Sequence, residues 1–372
     1  MLKIISLSFS VFILVQINAQ LKNAVVFGEH ANVLPTIEGN VYRIFMDMNG
    51  DFYPENVISN EALLAEGNSQ LAVWAKVFPT NFQRIAADYH LTNTAYSEAN
   101  YRILQDSIRS SIVRSINKID AKEQTWMVHG FRKQMIDANI DNATSPVEYS
   151  YCRSRITSAA QDSSTNSFIE VYWDGKYLLK GGAMRMLKVG RLYKKYAIPN
   201  AKNCGYELRA LFSKIECQRI NVITHSTGTY VASSLMFNRS DEDTLPTPNQ
   251  SDLRSVLVAS ASPGKKLFKL YYDRNTSLNY IQEDNYALFN FINEKDEALL
   301  KSKVAIKFPK LFGNTTLGCN YHHESDKLKA YFNARFTHSR FEQGYNTMNQ
   351  KHSFISYIQS NGFDEVLMFL ND

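Results

Sequence analysis

The stretch "NVITHSTGTY" (221–230) decides the fold. Val222 and Ile223 run into Thr224-His225-Ser226-Thr227-Gly228, and helix-forming residues follow at once. An apolar run that ends in a serine and restarts as a helix reads as strand, sharp turn, helix, with the serine hydroxyl lifted clear of the backbone. Such a turn needs small residues two before and two after the serine, because strand and helix backbones nearly touch there. Gly228 meets the requirement, whereas Thr224 puts a compact but β-branched side chain where glycine is usual. A serine that only caps the following helix would explain the same letters.

Comparable runs recur on either side: "TWMVHG" (125–130), "FIEVYW" (168–173), "RSVLVAS" (254–260) and "YALFNFI" (286–292), alternating with helical stretches. Runs of this size between helices predict parallel strands covered on both faces. The expectation is an α/β, doubly wound domain over 120–372. Working groups in such sheets gather beyond the carboxyl ends of the strands.

Residues 20–119 read differently, as a hairpin and helical region that is either accessory or integrated. "RIFMDMNGDFY" (43–53) predicts two strands around Asn49-Gly50. Asp47, Asn49 and Asp51 have calcium-loop spacing, but Phe52 and Ile58 stand where that loop needs Gly and Glu, so a turn is the better reading. Residues 60–118 look helical, with Ile103, Ile108, Ile112 and Ile116 at helical spacing.

At the start, "MLKIISLSFSVFILVQINAQ" sets Lys3 ahead of the apolar stretch Ile4–Val15 and ends in small and polar residues. It reads as a signal peptide over 1–19, too short to span a bilayer, and implies a secreted or periplasmic protein with no stable membrane insertion after cleavage. Apolar residues make up 44% of the 372, charged residues 21%, and the formal charge of +5 is too mild to favour nucleic acid. Cys152, Cys204, Cys217 and Cys319 allow two disulfides in an exported chain, or four unpaired thiols. Cys204 and Cys217 are poor partners, since a helix between them would hold its ends about 20 Å apart.

Beyond the "YALFNFI" run, Asn293-Glu294-Lys295-Asp296 supplies acids in a loop, whereas "ASASPGKK" (259–266) supplies none. Asp296 is the better candidate to orient a histidine, with Glu294 the fallback. Of eight histidines, His322, His323, His338 and His352 lie beyond it. The first two come before a final strand can form, and His338 sits in "NARFTHSRF" (333–341), which alternates like a strand. His352 follows a polar loop and is preferred. His225 flanks the serine but points elsewhere at a turn of this kind, and His129 reads as structural.

The elements "VHGF", "HSTG" and "FINEKD", and the chain order Ser226, Asp296, His352, resemble an esterase- or lipase-like branch of the α/β-hydrolases over about residues 120–372. The resemblance implies a mostly parallel doubly wound sheet flanked by helices. It makes Ser226 the nucleophile, His352 the base and Asp296 its orienting acid, with the backbone N–H groups of Phe131 and Thr227 as oxyanion donors. Gly130 and Trp173 are the expected substrate contacts. The implied activity is hydrolysis of carboxylic esters through an acyl-enzyme, without metal or organic cofactor, on a small-molecule ester. The short connection after the "VLVAS" run, and the longer but helix-like segment after Trp173, leave little room for a large apolar lid and favour soluble, short-chain esters. Arg132 is a candidate for attracting acidic substrates, or a solvated arginine. A peptidase, a thioesterase, or a binding protein that has kept the fold without the activity are the rival readings.

Overall fold

The computed structural model describes residues 35–55, 71–131, 145–160, 166–173, 193–236, 252–262, 286–300, 316–320, 323–335, 340–346 and 352–372. The signal-peptide reading, Arg132, His322, His338 and the connections proposed to lack a lid all lie outside them.

Along the chain come β1 (Ile37–Glu38), β2 (Val41–Met46), α1 (Leu71–Val77), α2 (Pro79–Asp88), α3 (Glu98–Asn117) and β3 (Glu123–Val128). Then follow α4 (Ser145–Ala159), β4 (Asn166–Trp173), a π-helical turn (Tyr193–Ala197) leading into α5 (Ile198–Phe212), β5 (Arg219–His225), α6 (Gly228–Met236) and β6 (Asp252–Val258). The last elements are β7 (Tyr286–Ile292), α7 (Glu297–Leu300), α8 (Glu324–Arg335), β8 (Arg340–Tyr345), α9 (Phe354–Ile358) and α10 (Phe363–Asn371).

The strands form one eight-stranded sheet in the order β1-β2-β4-β3-β5-β6-β7-β8. Among the described strands the β1–β2 pair is antiparallel and every other neighbouring pair is parallel. Each apolar run singled out in the sequence lies in a parallel strand, and β5 is buried along its length after Arg219, as a strand covered on both faces must be.

Helix placement follows from handedness. Right-handed crossovers put α3, α5 and α6 on one face, because each connects a strand to one further along the same direction of the sheet. The connection β3–α4–β4 runs backwards and therefore puts α4 on the other face. Packing agrees: α5 lies against α6 and α3, while α4 lies against α9. Arg155 of α4 donates to the Ile358 carbonyl at 2.9 Å and pairs with Asp364 of α10 at 2.6 Å. The sheet is thus flanked by helices on both faces.

Two expectations for the N-terminal region change. Among the described residues no second strand follows Asn49-Gly50: β2 pairs in parallel with β4, and an isolated antiparallel bridge joins Met46 and Phe52. The turn itself is built by Asp47, whose Oδ1 accepts from the Asn49 and Asp51 amides at 2.7 and 3.0 Å, while Oδ2 accepts from Leu71 N at 2.9 Å. These bonds use the carboxylate that a calcium loop would present outward. Gly50 has φ +93°, and a Cβ there would lie 2.9 Å from the Asn203 carbonyl oxygen, so glycine is required.

The α3 helix starts where Ser97 Oγ caps Asn100 N at 3.1 Å, and it buries Ile108, Ile112 and Ile116. Each such side chain stabilises the fold by about 1.5–3 kcal/mol. Ile103, expected on the same stripe, is 53% exposed. At the sheet edge, Arg43 of β2 and Glu170 of β4 are register partners joined at 2.8 Å, and Arg153 of α4 meets the same carboxylate. Residues 37–46 therefore belong to the same sheet as the later strands. None of the four cysteines is joined in a disulfide.

Candidate active site

Ser226 leaves β5 with φ +53°, a left-handed conformation costly for a residue with a Cβ. Its surroundings hold it there. The Ser226 amide donates to Val258 O at 2.9 Å, and its carbonyl accepts from Ala261 N at 3.1 Å and from Thr229 Oγ1 at 2.8 Å. The helix begins at Gly228, where a Cβ would stand 2.7 Å from Val128 O and 2.8 Å from His129 O. The close approach that makes glycine necessary is therefore to the end of β3. Thr224 lies within β5, ahead of the turn. It is an ordinary strand position, paired with Val128 and Leu257, and its buried hydroxyl reaches Val256 O at 3.3 Å.

Asp296 follows β7 and starts α7. Its Oδ1 accepts from Ala298 N and Leu299 N at 3.0 and 3.2 Å, and the residue is fully buried. Glu294, the fallback in the same loop, is exposed.

His352 lies just ahead of α9, whose N-terminus Ser353 caps. Its Nδ1 is 2.6 Å from Asp296 Oδ2 and its Nε2 is 2.8 Å from Ser226 Oγ. A carboxylate only accepts, so Nδ1 carries the proton and Nε2 is left to accept from the serine hydroxyl. The structure thus brings Ser226, His352 and Asp296 within hydrogen-bond reach of one another at the carboxyl ends of β5, β8 and β7. Ser226 is 7% exposed and the His352 side chain 27%, so the hydroxyl sits at the base of an accessible histidine.

Facing them is the loop after β3. A Cβ on Gly130 would lie 2.9 Å from Ser226 Cβ and 3.2 Å from the His225 carbonyl oxygen, so only glycine lets this backbone pass so close. His129 fixes the loop: its Nδ1 lies 2.8 Å from Gly130 O, its Nε2 accepts from Trp173 N at 3.2 Å, and its carbonyl accepts from the Trp173 indole at 2.9 Å. The two rings stack at 5.6 Å. Trp173 is 1% exposed, so it supports the loop from below, where the sequence suggested a wall of the substrate pocket. Phe131 is half-buried, edge-to-face with Tyr193 at 5.6 Å, and Thr227 is buried beside the serine. His323 is far from this chemistry in role, pairing with Asp326 at 2.9 Å on the surface.

Two further residues touch the constellation. The Tyr357 hydroxyl donates to Asp296 Oδ2 at 2.7 Å, and the His225 ring reaches the loop that carries His352. The only sequence signal for Tyr357 was its place about one helical turn beyond His352.

Among the described residues, no group of three or more His, Cys, Asp or Glu side chains is placed to hold a metal ion, and no helix is long and apolar enough to cross a membrane.

No protein-family model matches this chain, and no curated protein matches it. Solved structures of similar shape include carboxyl esterase 2 of the fungus Tuber melanosporum, 8% identical, over 68% of this chain and 78% of that one, with a TM-score of 0.35. A thermophilic esterase from Thermogutta terrifontis with propionate bound is 13% identical over 68% and 82%, with a TM-score of 0.30. Siderophore hydrolase EstB from Aspergillus nidulans is 12% identical over 68% and 85%, with a TM-score of 0.31. Likenesses this loose carry nothing about the chemistry of this chain.

Proposed function

We propose that this protein is a serine hydrolase of the α/β-hydrolase type that cleaves carboxylic esters. The observation that carries the reading is His352, which reaches Ser226 Oγ at 2.8 Å with one ring nitrogen and Asp296 Oδ2 at 2.6 Å with the other. His352 Nε2 takes the hydroxyl proton as Ser226 Oγ attacks the ester carbonyl. Asp296 holds the tautomer and stabilises the imidazolium that forms. The amides of Phe131 and Thr227 receive the developing oxyanion, each worth about 3 kcal/mol of barrier on typical magnitudes. Collapse of the tetrahedral intermediate breaks the bond to the alcohol, which takes its proton from His352. Water then attacks the acyl-serine by the same route and releases the acid.

The close approach of Gly130 to Ser226 supports the placement of the oxyanion loop. The signal-like segment 1–19 supports export, and the reading requires no cofactor. Short-chain p-nitrophenyl esters, matched thioesters and peptide anilides, offered to the wild type and to Ser226→Ala, test the reaction class. Ester turnover by the wild type alone is expected. Turnover confined to the anilides makes the protein a peptidase, and equal turnover by Ser226→Ala removes the serine mechanism.

A further inference from the structure

We infer that Tyr357 is a positioning residue for the Ser226–His352–Asp296 constellation, its hydroxyl fixing the Asp296 carboxylate and drawing part of that charge away from His352. The inference rests on the functional reading above and adds a device that tunes its base.

Oδ2 of Asp296 accepts from His352 Nδ1 at 2.6 Å and from Tyr357 Oη at 2.7 Å. The other oxygen is engaged by the Ala298 and Leu299 amides. With the carboxylate fully buried, the phenol is the one side chain besides His352 that shares the charge of this oxygen among the contacts described. A hydrogen bond to a charged acceptor in a dry site both orients it and spreads its charge.

The phenol itself is held in place. Tyr357 is 0% exposed, and its ring meets Phe291 of β7 edge-to-face at 5.5 Å, so the strand that delivers Asp296 also braces its partner. Burial first, and then the charge of Asp296, push the phenol above the ordinary tyrosine range, so it remains a donor over the pH range of the test below. The groups facing it are Asp296 from the β7 loop, the neutral side chain of Asn293, Cys319, and His225 of β5 at 6.4 Å between rings. Arg155 of α4 reaches the carbonyl of Ile358 next in the chain. Among the titratable groups here, imidazoles alone ordinarily change charge near neutrality, and His225 is common to every variant compared below.

Losing the hydroxyl directs the carboxylate charge more fully at His352. The ring then keeps its proton to higher pH, and less of it is available as a base at neutrality. The test is the rate at which an uncharged fluorophosphonate inactivates the protein between pH 5 and 9, with Ser226→Ala as the blank. Tyr357→Phe is expected to react about tenfold more slowly at pH 7, equivalent to one loss of a charge-assisted hydrogen bond. Its half-maximal pH should move upward by about half a unit. Site-specific 3-fluorotyrosine at position 357, a stronger donor, should move that pH downward, and it serves alone if the Phe variant does not fold. A purely structural role predicts a lower melting temperature with the half-maximal pH unmoved in both variants, and that result overturns the inference. If the wild type itself does not react, or Ser226→Ala reacts equally, the functional reading fails first.

Discussion

His225 stands directly before the serine in the chain, and its Nε2 lies 3.0 Å from the carbonyl oxygen of His352. A carbonyl only accepts, so Nε2 carries the proton and donates. The ring is buried and stacks on Phe354 at 5.3 Å. The strand that presents the nucleophile therefore also holds the backbone of the proposed base. His225→Phe keeps an aromatic ring and removes the donor. The expected result is a fall of about three- to tenfold in fluorophosphonate reactivity, one ordinary hydrogen bond, with the fold retained by circular dichroism. An unchanged rate would show that the loop needs no such tie.

Gly228 and Gly130 make different predictions although both are tight. A methyl at 228 meets the carbonyl of Val128, at the end of β3, and that of His129, which the Trp173 indole holds. Gly228→Ala should destabilise by about 1–3 kcal/mol, read as a lower urea midpoint. At 130 the methyl meets Ser226 Cβ and the His225 ring, so Gly130→Ala should reduce hydrolysis far more than stability.

Glu170 is 1% exposed and faces Arg43, which is 4% exposed, and Arg153. Glu170→Gln takes the charge away from Arg153 and leaves Arg43 with Glu38 as its remaining carboxylate at 2.6 Å, and should cost about 2–4 kcal/mol in equilibrium unfolding. A cost below 1 kcal/mol would mean that the arginines find water instead.

The cysteines are expected to stay reduced. Burial pushes the Cys152 thiol up to about 12, so it forms almost no thiolate at pH 8 and should escape alkylation in the native protein. Cys217, only half-buried, should react first, although burial raises its thiol too. Four thiols should titrate after denaturation without reductant. A melting temperature that falls on adding reductant would reveal a disulfide.

How much was readable beforehand depended on distance along the chain. The parallel strands were visible because strands buried on both faces are nearly continuous apolar runs, and Ser226, Asp296 and His352 could be chosen because each lies in a loop just beyond a strand position. Pairing was harder. The Asn49-Gly50 turn is real, yet β2 finds its partner in β4, far along the chain, and no local letter signals that. The alternation of "NARFTHSRF" suggests a strand throughout, but α8 runs to Arg335 and β8 starts at Arg340. Its alternation fits the end of a helix as readily as the start of a strand. Tyr357 and His225 were missed because their roles depend on how α9 lands on the ends of β5 and β7. Trp173 was misplaced for a related reason: a large ring at a strand end suggests a pocket wall, and only the indole bond to the His129 carbonyl shows it beneath the loop.

The most direct measurement is intact-mass spectrometry of the protein after fluorophosphonate treatment, followed by peptide mapping. The account predicts a single adduct, carried by Ser226, formed faster as pH rises through neutrality, and absent from both Ser226→Ala and His352→Ala. An adduct on another residue, or none on a folded wild-type protein, would contradict it.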